Sequence, residues 1–97
     1  MYATVSTVQI QPGQVAAFTQ LWAEQMEPAI NQISTLIDLY VLVNAETHIQ
    51  LVVAIYASKA DALACQTSAA YQQLFAQMAH LVVLESITYS EYVVIST

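Results

Sequence analysis

The sequence predicts an α+β fold in which a four-stranded antiparallel sheet carries helices on one face, in the ferredoxin-like split β-α-β order. Two observations predict it. The hydrophobic period changes along the chain in the order strand, helix, strand, strand, helices, strand, and the middle strands are apolar on both faces. Because the helices cover only one face, we expect two subunits to pair through the other as a dimeric α+β barrel. Residues 1–97 are expected to form a single domain.

The first two elements follow from a change of period around Pro12-Gly13. Tyr2 to Ile10 alternates β-branched and small polar residues, which predicts a strand closed by that turn. The next segment has helical spacing, and its apolar residues are Val15, Phe18, Leu21, Trp22, Met26, Ala29, Ile30 and Ile33. Pro28 has no amide hydrogen, so we expect a kink or break near Glu27 and a short second helical piece.

The remaining strands are rich in β-branched and aromatic residues. Leu36 to Val43 and Ile49 to Tyr56 form a predicted hairpin, and Glu85 to Ile95 forms the last strand. Between the hairpin and the last strand, Ser58 can cap one helix, and Thr67 or Ser68 can cap a second helix. In the third strand every odd residue is aliphatic, whereas the even residues are mixed. Simple alternation in the second strand places Tyr40 on the same face as Leu36. Ser6, Tyr40, Val52 and Tyr56 all occupy even positions of their strands, which is consistent with one shared face that lines a single pocket.

Composition excludes several classes of partner. The chain is 58% hydrophobic and 8% charged with a net charge of −6, and Lys59 is its only Lys or Arg. Nucleic acid is therefore excluded, anionic membrane surfaces are disfavoured, and a small neutral, apolar or aromatic ligand is favoured. The longest apolar run, Leu51 to Ala57, is too short to span a bilayer. A lone Cys65 and a start without signal-peptide character predict a cytoplasmic protein.

Two sequence patterns resemble a known family. Pro12-Gly13 followed by Phe18 resembles the strand-to-helix turn of the antibiotic biosynthesis monooxygenase family, small dimeric α+β barrel proteins. Tyr56-Ala57-Ser58, with Ser68 ten residues later, resembles that family's Trp-x-Ser…Ser pattern. The resemblance implies oxidation of a small aromatic or quinol-type substrate by O₂ without a metal or flavin. Other members degrade haem, isomerise small metabolites or have no known activity.

The chain departs from the family pattern at positions that carry chemistry. Tyr56 stands where the family most often has Trp, and Val52 where anthrone-oxidising members have Asn. The functional Asn, Trp and His of the haem-degrading branch align near Ser6, Cys65 and Phe75. Haem is therefore not expected, and no cofactor is predicted.

Candidate site residues come from the mixed sheet face and from the helices that can close over it. The catalytic candidates are Tyr56 and His80. The substrate-binding candidates are Ser6, Trp22, Tyr40, Val52 and Tyr71. Glu24 and Glu27 lie three residues apart without His or Cys nearby, so no metal site is predicted.

The candidate site residues also have purely structural explanations. Tyr56 and Tyr40 can pack on Trp22 as ordinary strand residues, and His80 can interact with a helix C-terminus. The leading hypothesis is a cofactor-independent monooxygenase. The alternative is a non-catalytic small-ligand-binding or structural dimer, because the family's Trp, Asn and His positions are replaced. An isomerase or lyase, which needs a well-placed base, ranks last.

Overall fold

A computed structural model describes residues 1–96 and is built around one antiparallel sheet of four strands. The strands are β1 (Tyr2–Ile10), β2 (Leu36–Val43), β3 (Ile49–Tyr56) and β4 (Val82–Val93). Their spatial order is β2-β3-β1-β4, so β1 and β3 are the two central strands. This is the predicted ferredoxin-like α+β arrangement, and the bounds of the first three strands match the predicted ones.

Four α-helices pack with this sheet. They are α1 (Val15–Leu21), α2 (Glu27–Ile30), α3 (Lys59–Gln66) and α4 (Ala69–Met78). Ser58 caps α3 and Ser68 caps α4, each hydroxyl accepting a hydrogen bond at 3.2 Å from the amide three residues on. No helix formed by residues 1–96 is both long and apolar enough to cross a membrane.

The predicted irregularity before Pro28 is a π-helical turn, Trp22–Met26, between α1 and α2. The amide of Glu27 donates to the carbonyl of Trp22, five residues back. Pro28 follows at the start of α2, where a missing amide hydrogen is tolerated. The short second helix is confirmed.

The last strand begins three residues earlier than predicted, because tertiary pairing extends it, and it ends at Val93, two residues before the predicted Ile95. Val82 lies opposite Ile10, and the register then shifts between Thr7 and Gln9. At this shift the Gln9 amide donates to the Ser86 hydroxyl at 2.7 Å instead of to a strand carbonyl. This bulge keeps β1 and β4 paired beyond the predicted start at Glu85.

A second irregularity corrects the predicted faces of β2. Leu36 lies opposite Tyr56, but the register shifts before Asp38, so that Leu39 lies opposite Ala54. The extra residue reverses the alternation that the sequence predicted. Tyr40 therefore lies opposite Val53 on the sheet face away from the helices. The prediction that Tyr40 shares a face with Tyr56 is wrong.

The core lies between the sheet and the helices in two clusters. One consists of Val8, Ile10, Phe18, Leu81 and Val82. The other consists of Ala54, Tyr56, Ala62 and Cys65. The opposite sheet face carries the aliphatic odd residues of β3, with Val5 opposite Val53 at its centre. Ile49, Tyr40 and Leu42 on that face are 40%, 53% and 53% exposed, so the face is apolar and accessible.

Candidate functional site

A cavity of about 160 Å³ lies between the helix-facing side of the sheet and the helices. Its floor is formed by even-numbered residues of β1 and β3, among them Ser6, Val52 and Tyr56. An engineered apolar cavity of about 150 Å³ in another protein binds benzene, and the present cavity has a similar volume. Tyr71 and Tyr89 also line it and are 37% and 47% exposed, so they form a rim toward solvent. The cavity therefore has room for one aromatic ring.

Five of the seven residues predicted for the site line this cavity. They are Ser6, Trp22, Val52, Tyr56 and Tyr71. Strand alternation brings Ser6 directly opposite Val52 on neighbouring strands, as the predicted parity requires. Trp22 reaches the cavity from the π-helical turn, together with the buried Met26 four residues later.

The other two predicted residues lie elsewhere. Tyr40 projects from the opposite sheet face because of the bulge in β2. His80 is exposed in a single 3₁₀ turn (Ala79–Leu81) after α4, and it does not line the cavity. The wall is instead continued by Met78, one of the last residues of α4. The structure therefore does not bring His80 to Tyr56.

Tyr56 is the most deeply placed of the predicted residues, with 3% of its surface exposed. Burial in the first place, and the neighbouring Cys65 side chain in the second, raise the pKa of the Tyr56 hydroxyl well above its usual range. The phenol therefore stays protonated at physiological pH. It is suited to donate a hydrogen bond to a ligand oxygen, and it is not suited to act as a base.

The cavity walls are neutral. No Lys, Arg, His, Asp or Glu lies among the lining residues of the described chain. Within residues 1–96 no group of three or more His, Cys, Asp and Glu side chains could hold a metal ion. Hydroxyl and amide groups provide the polar part of the lining, which favours an uncharged ligand.

Gln50 is a cavity-lining residue that the sequence analysis did not select. It is 1% exposed, and neither its Oε1 nor its Nε2 atom has a hydrogen-bond partner among the described residues. The available signal was an amide on the same strand face as Val52, Ala54 and Tyr56. A polar side chain on a strand face that is otherwise buried is a pattern that would have identified Gln50 as a candidate.

A chain of hydrogen bonds leads from the rim of the cavity to a carboxylate outside the lining. Gln66 donates to the Tyr89 hydroxyl, which in turn donates to Glu91 Oε1 at 3.1 Å. The Tyr2 hydroxyl donates to the other carboxylate oxygen at 2.6 Å. The hydrogen bond to Glu91 is the main reason that the pKa of Tyr2 rises to about 12. The same bond, followed by that from Tyr89, lowers the pKa of Glu91.

Replacing Tyr2 by Phe should remove a pH-dependent part of the stability. Glu91 has a lowered pKa, so its contribution is present above the ordinary value of 4.5 and is lost as the pH falls through the lowered value. Tyr2 has a raised pKa, so its contribution is present below pH 10 and is lost as the pH rises toward about 12. We expect the melting temperatures of wild type and Tyr2→Phe to differ at pH 7 and to converge as the pH falls below 4.5 through the lowered pKa of Glu91. A difference in melting temperature that stays constant with pH would contradict this expectation. The matched control is Tyr92→Phe, at an exposed tyrosine.

Comparison with known proteins assigns the fold and the family. The family model for antibiotic biosynthesis monooxygenase matches residues 1–77. A candidate antibiotic biosynthesis monooxygenase from Nitrosomonas europaea has a TM-score of 0.81 at 18% identity, covering 99% of this chain and 100% of that one. A similarly described protein from Deinococcus radiodurans has a TM-score of 0.81 at 14% identity, covering 100% and 95%.

A third structure of the same description, from Caulobacter crescentus, has a TM-score of 0.81 at 14% identity and covers 98% of this chain and 90% of that one. At these identities the structures show a shared fold. No functionally curated protein matches the chain in sequence. The family match extends through β1, β2, β3 and α3 into α4, and so includes most of the cavity. The chain belongs to the antibiotic biosynthesis monooxygenase family.

Proposed function

We propose that this protein is a cofactor-independent monooxygenase that oxidises a small, uncharged phenol with O₂. The observation that carries the proposal is the neutral, largely apolar cavity with the buried, protonated Tyr56 in its lining. Membership of a monooxygenase family supports the reaction class. The cavity volume limits the part of the substrate inside it to about one aromatic ring.

The reaction balances without an added reductant. A phenol with a free para position and one O₂ give a para-quinone and one water, so one oxygen atom enters the ring and the other leaves in water. The substrate loses its hydroxyl proton to water as it enters from the rim, and Tyr56 donates a hydrogen bond to the resulting oxyanion at the cavity floor. The phenolate passes an electron to O₂, and Trp22 and Leu74, which also line the cavity, keep water from the radical pair.

We further propose that the exposed sheet face pairs with a second copy of the chain. Only 8% of the residues are charged, and the centre of this face presents Val5 and the aliphatic odd residues of β3. A surface of this kind favours a self-complementary sheet-to-sheet contact. The helix-covered face with its cavity stays accessible in such a dimer.

The reaction is tested with ¹⁸O₂ and 3-methylphenol, a single-ring phenol with a free para position. We expect oxygen uptake and a quinone that carries one labelled oxygen atom, detected by mass spectrometry. Uptake without label in the product would contradict monooxygenation. Thermal shifts with 3-methylphenol but no uptake would favour the alternative, a binding protein without catalysis. The described lining residues include no Lys, His, Asp or Glu that could act as a base, which supports this alternative.

Tyr56→Phe should lower kcat/KM by roughly tenfold to a hundredfold, because it removes one hydrogen bond to a charged oxygen. His80→Ala should leave the rate unchanged, because His80 lies outside the cavity. Melting temperatures of both variants check that they fold. The opposite result, a slow His80→Ala variant and an unaffected Tyr56→Phe variant, would show that the proposed role of Tyr56 is wrong.

A further inference from the structure

The side-chain amide of Gln50 is an unusual feature of the cavity. The residue is 1% exposed and lines the cavity, and neither polar atom of its amide has a partner among the described residues. Buried side-chain amides are nearly always hydrogen-bonded, since leaving one unpaired destabilises the fold. Neither amide atom is accessible from the cavity, so a ligand there pairs with the amide only after the Gln50 side chain turns toward it. An unpaired amide at the wall of a cavity points to such a partner.

The neighbours of Gln50 explain why the protein itself does not supply that partner. On the sheet, Gln50 lies between Val8 of β1 and Val43 of β2, and neither side chain can form a hydrogen bond. The nearest polar side chain on the same face of β1 is that of Ser6, which lies opposite Val52, two residues beyond Gln50 on β3. Gln50 has no hydrogen bond to Ser6.

We infer that Gln50 is the recognition group of the cavity and selects an aromatic ligand that carries a primary carboxamide. The ligand carbonyl accepts from Nε2 of Gln50, and the ligand amide N–H donates to Oε1, which satisfies both unpaired atoms in one planar pair. This inference rests on the proposed function in that the ligand is also the phenol that is oxidised. The substrate class is then a hydroxybenzamide.

The neutral lining of the cavity disfavours the corresponding carboxylic acid, which is ionised at neutral pH. A carboxylate offers no donor to Oε1, so half of the amide stays unpaired. The described lining residues also include no Lys, Arg or His that could compensate a negative charge. The neutral amide is therefore preferred over the isosteric carboxylate, although both have the same shape.

The test compares Gln50→Met with Gln9→Met, the same substitution at a glutamine whose amide is paired. Gln9 donates to the carbonyls of Ile10, Thr47 and His48 and does not line the cavity. In the absence of ligand, Gln50→Met should raise the melting temperature by about 4 to 8 °C, because it removes a buried unpaired amide. Gln9→Met should lower it. A drop in both variants would show a structural role for the Gln50 amide and overturn the inference.

Binding is measured by calorimetry with 3-hydroxybenzamide, 3-hydroxybenzoate and 3-methylphenol. Wild type should bind the amide roughly tenfold or more tightly than 3-methylphenol, as two hydrogen bonds of ordinary strength predict, and the benzoate most weakly. Gln50→Met should lose the preference for the amide and still bind 3-methylphenol, whereas Gln9→Met should retain it. Equal affinity of wild type for the amide and 3-methylphenol would show that the Gln50 amide does not pair with the ligand, and would overturn the inference.

The binding readout separates this inference from the proposed reaction. A Gln50-dependent preference for the amide without oxygen uptake supports recognition and contradicts the monooxygenase. Label incorporation from ¹⁸O₂ without a preference for the amide supports the monooxygenase and overturns the role of Gln50.

Discussion

Replacing Val53 by Lys should dissociate the proposed dimer or unfold it. Val53 lies at the centre of the exposed sheet face, opposite Val5 on one side and Tyr40 on the other. In a sheet-to-sheet contact the added ammonium group is buried without a counter-charge, which costs several kcal/mol. Light scattering at micromolar concentration should therefore show a shift from twice the chain mass of 10.6 kDa to the monomer mass, or circular dichroism should show unfolding.

Gln73→Lys is the matched control, because it adds the same charge at an exposed position of α4. We expect this variant to keep the mass and the melting temperature of wild type. Two results would remove the two-sheet dimer: a wild-type protein that is monomeric at micromolar concentration, or a Val53→Lys variant with unchanged mass and stability.

Phe18→Ala should lower the free energy of unfolding by about 3 to 5 kcal/mol. Phe18 is 2% exposed and packs in the buried cluster with Ile10, Leu81 and Val82. Truncation removes the buried ring and leaves a space that backbone pairing of β1 with β4 hinders from closing. Since small domains unfold with about 5 to 15 kcal/mol, this is a large share of the total stability.

Urea denaturation at one fixed protein concentration measures this effect, because the stability of a dimer depends on concentration. The adjacent, exposed Thr19→Ala is the control and should change the free energy by less than about 0.5 kcal/mol. A loss below about 1 kcal/mol for Phe18→Ala would show that the predicted core stripe of α1 does not anchor this helix to the sheet.

Local sequence patterns were sufficient for the parts of the fold that depend on near neighbours. Alternation predicted the bounds of β1, β2 and β3, and the same parity brought Ser6, Val52 and Tyr56 to one cavity wall. The cap at Ser58 was predictable, and the second cap was limited to Thr67 or Ser68, because an N-cap hydroxyl binds an amide only three residues away. The structure selects Ser68. These features each arise within a few residues of chain.

Other features depended on pairing between distant segments. The bulge in β2 placed Tyr40 on the opposite face, and the pairing of Val82 with Ile10 started β4 before Glu85. The position of His80 outside the cavity depended on where α4 ends relative to the sheet.

The sequence by itself therefore determined the order of the elements, the helix caps, the aliphatic face of β3 and most of the cavity wall, because period and capping are local properties. Only the tertiary structure decided strand register and which buried polar groups have partners. Gln50 illustrates this difference: its place on β3 is readable from alternation, but its lack of a partner is set by Val8 and Val43 on the two neighbouring strands. Register and hydrogen-bond satisfaction are properties of contacts between segments far apart in the chain, and a single-strand pattern does not contain them.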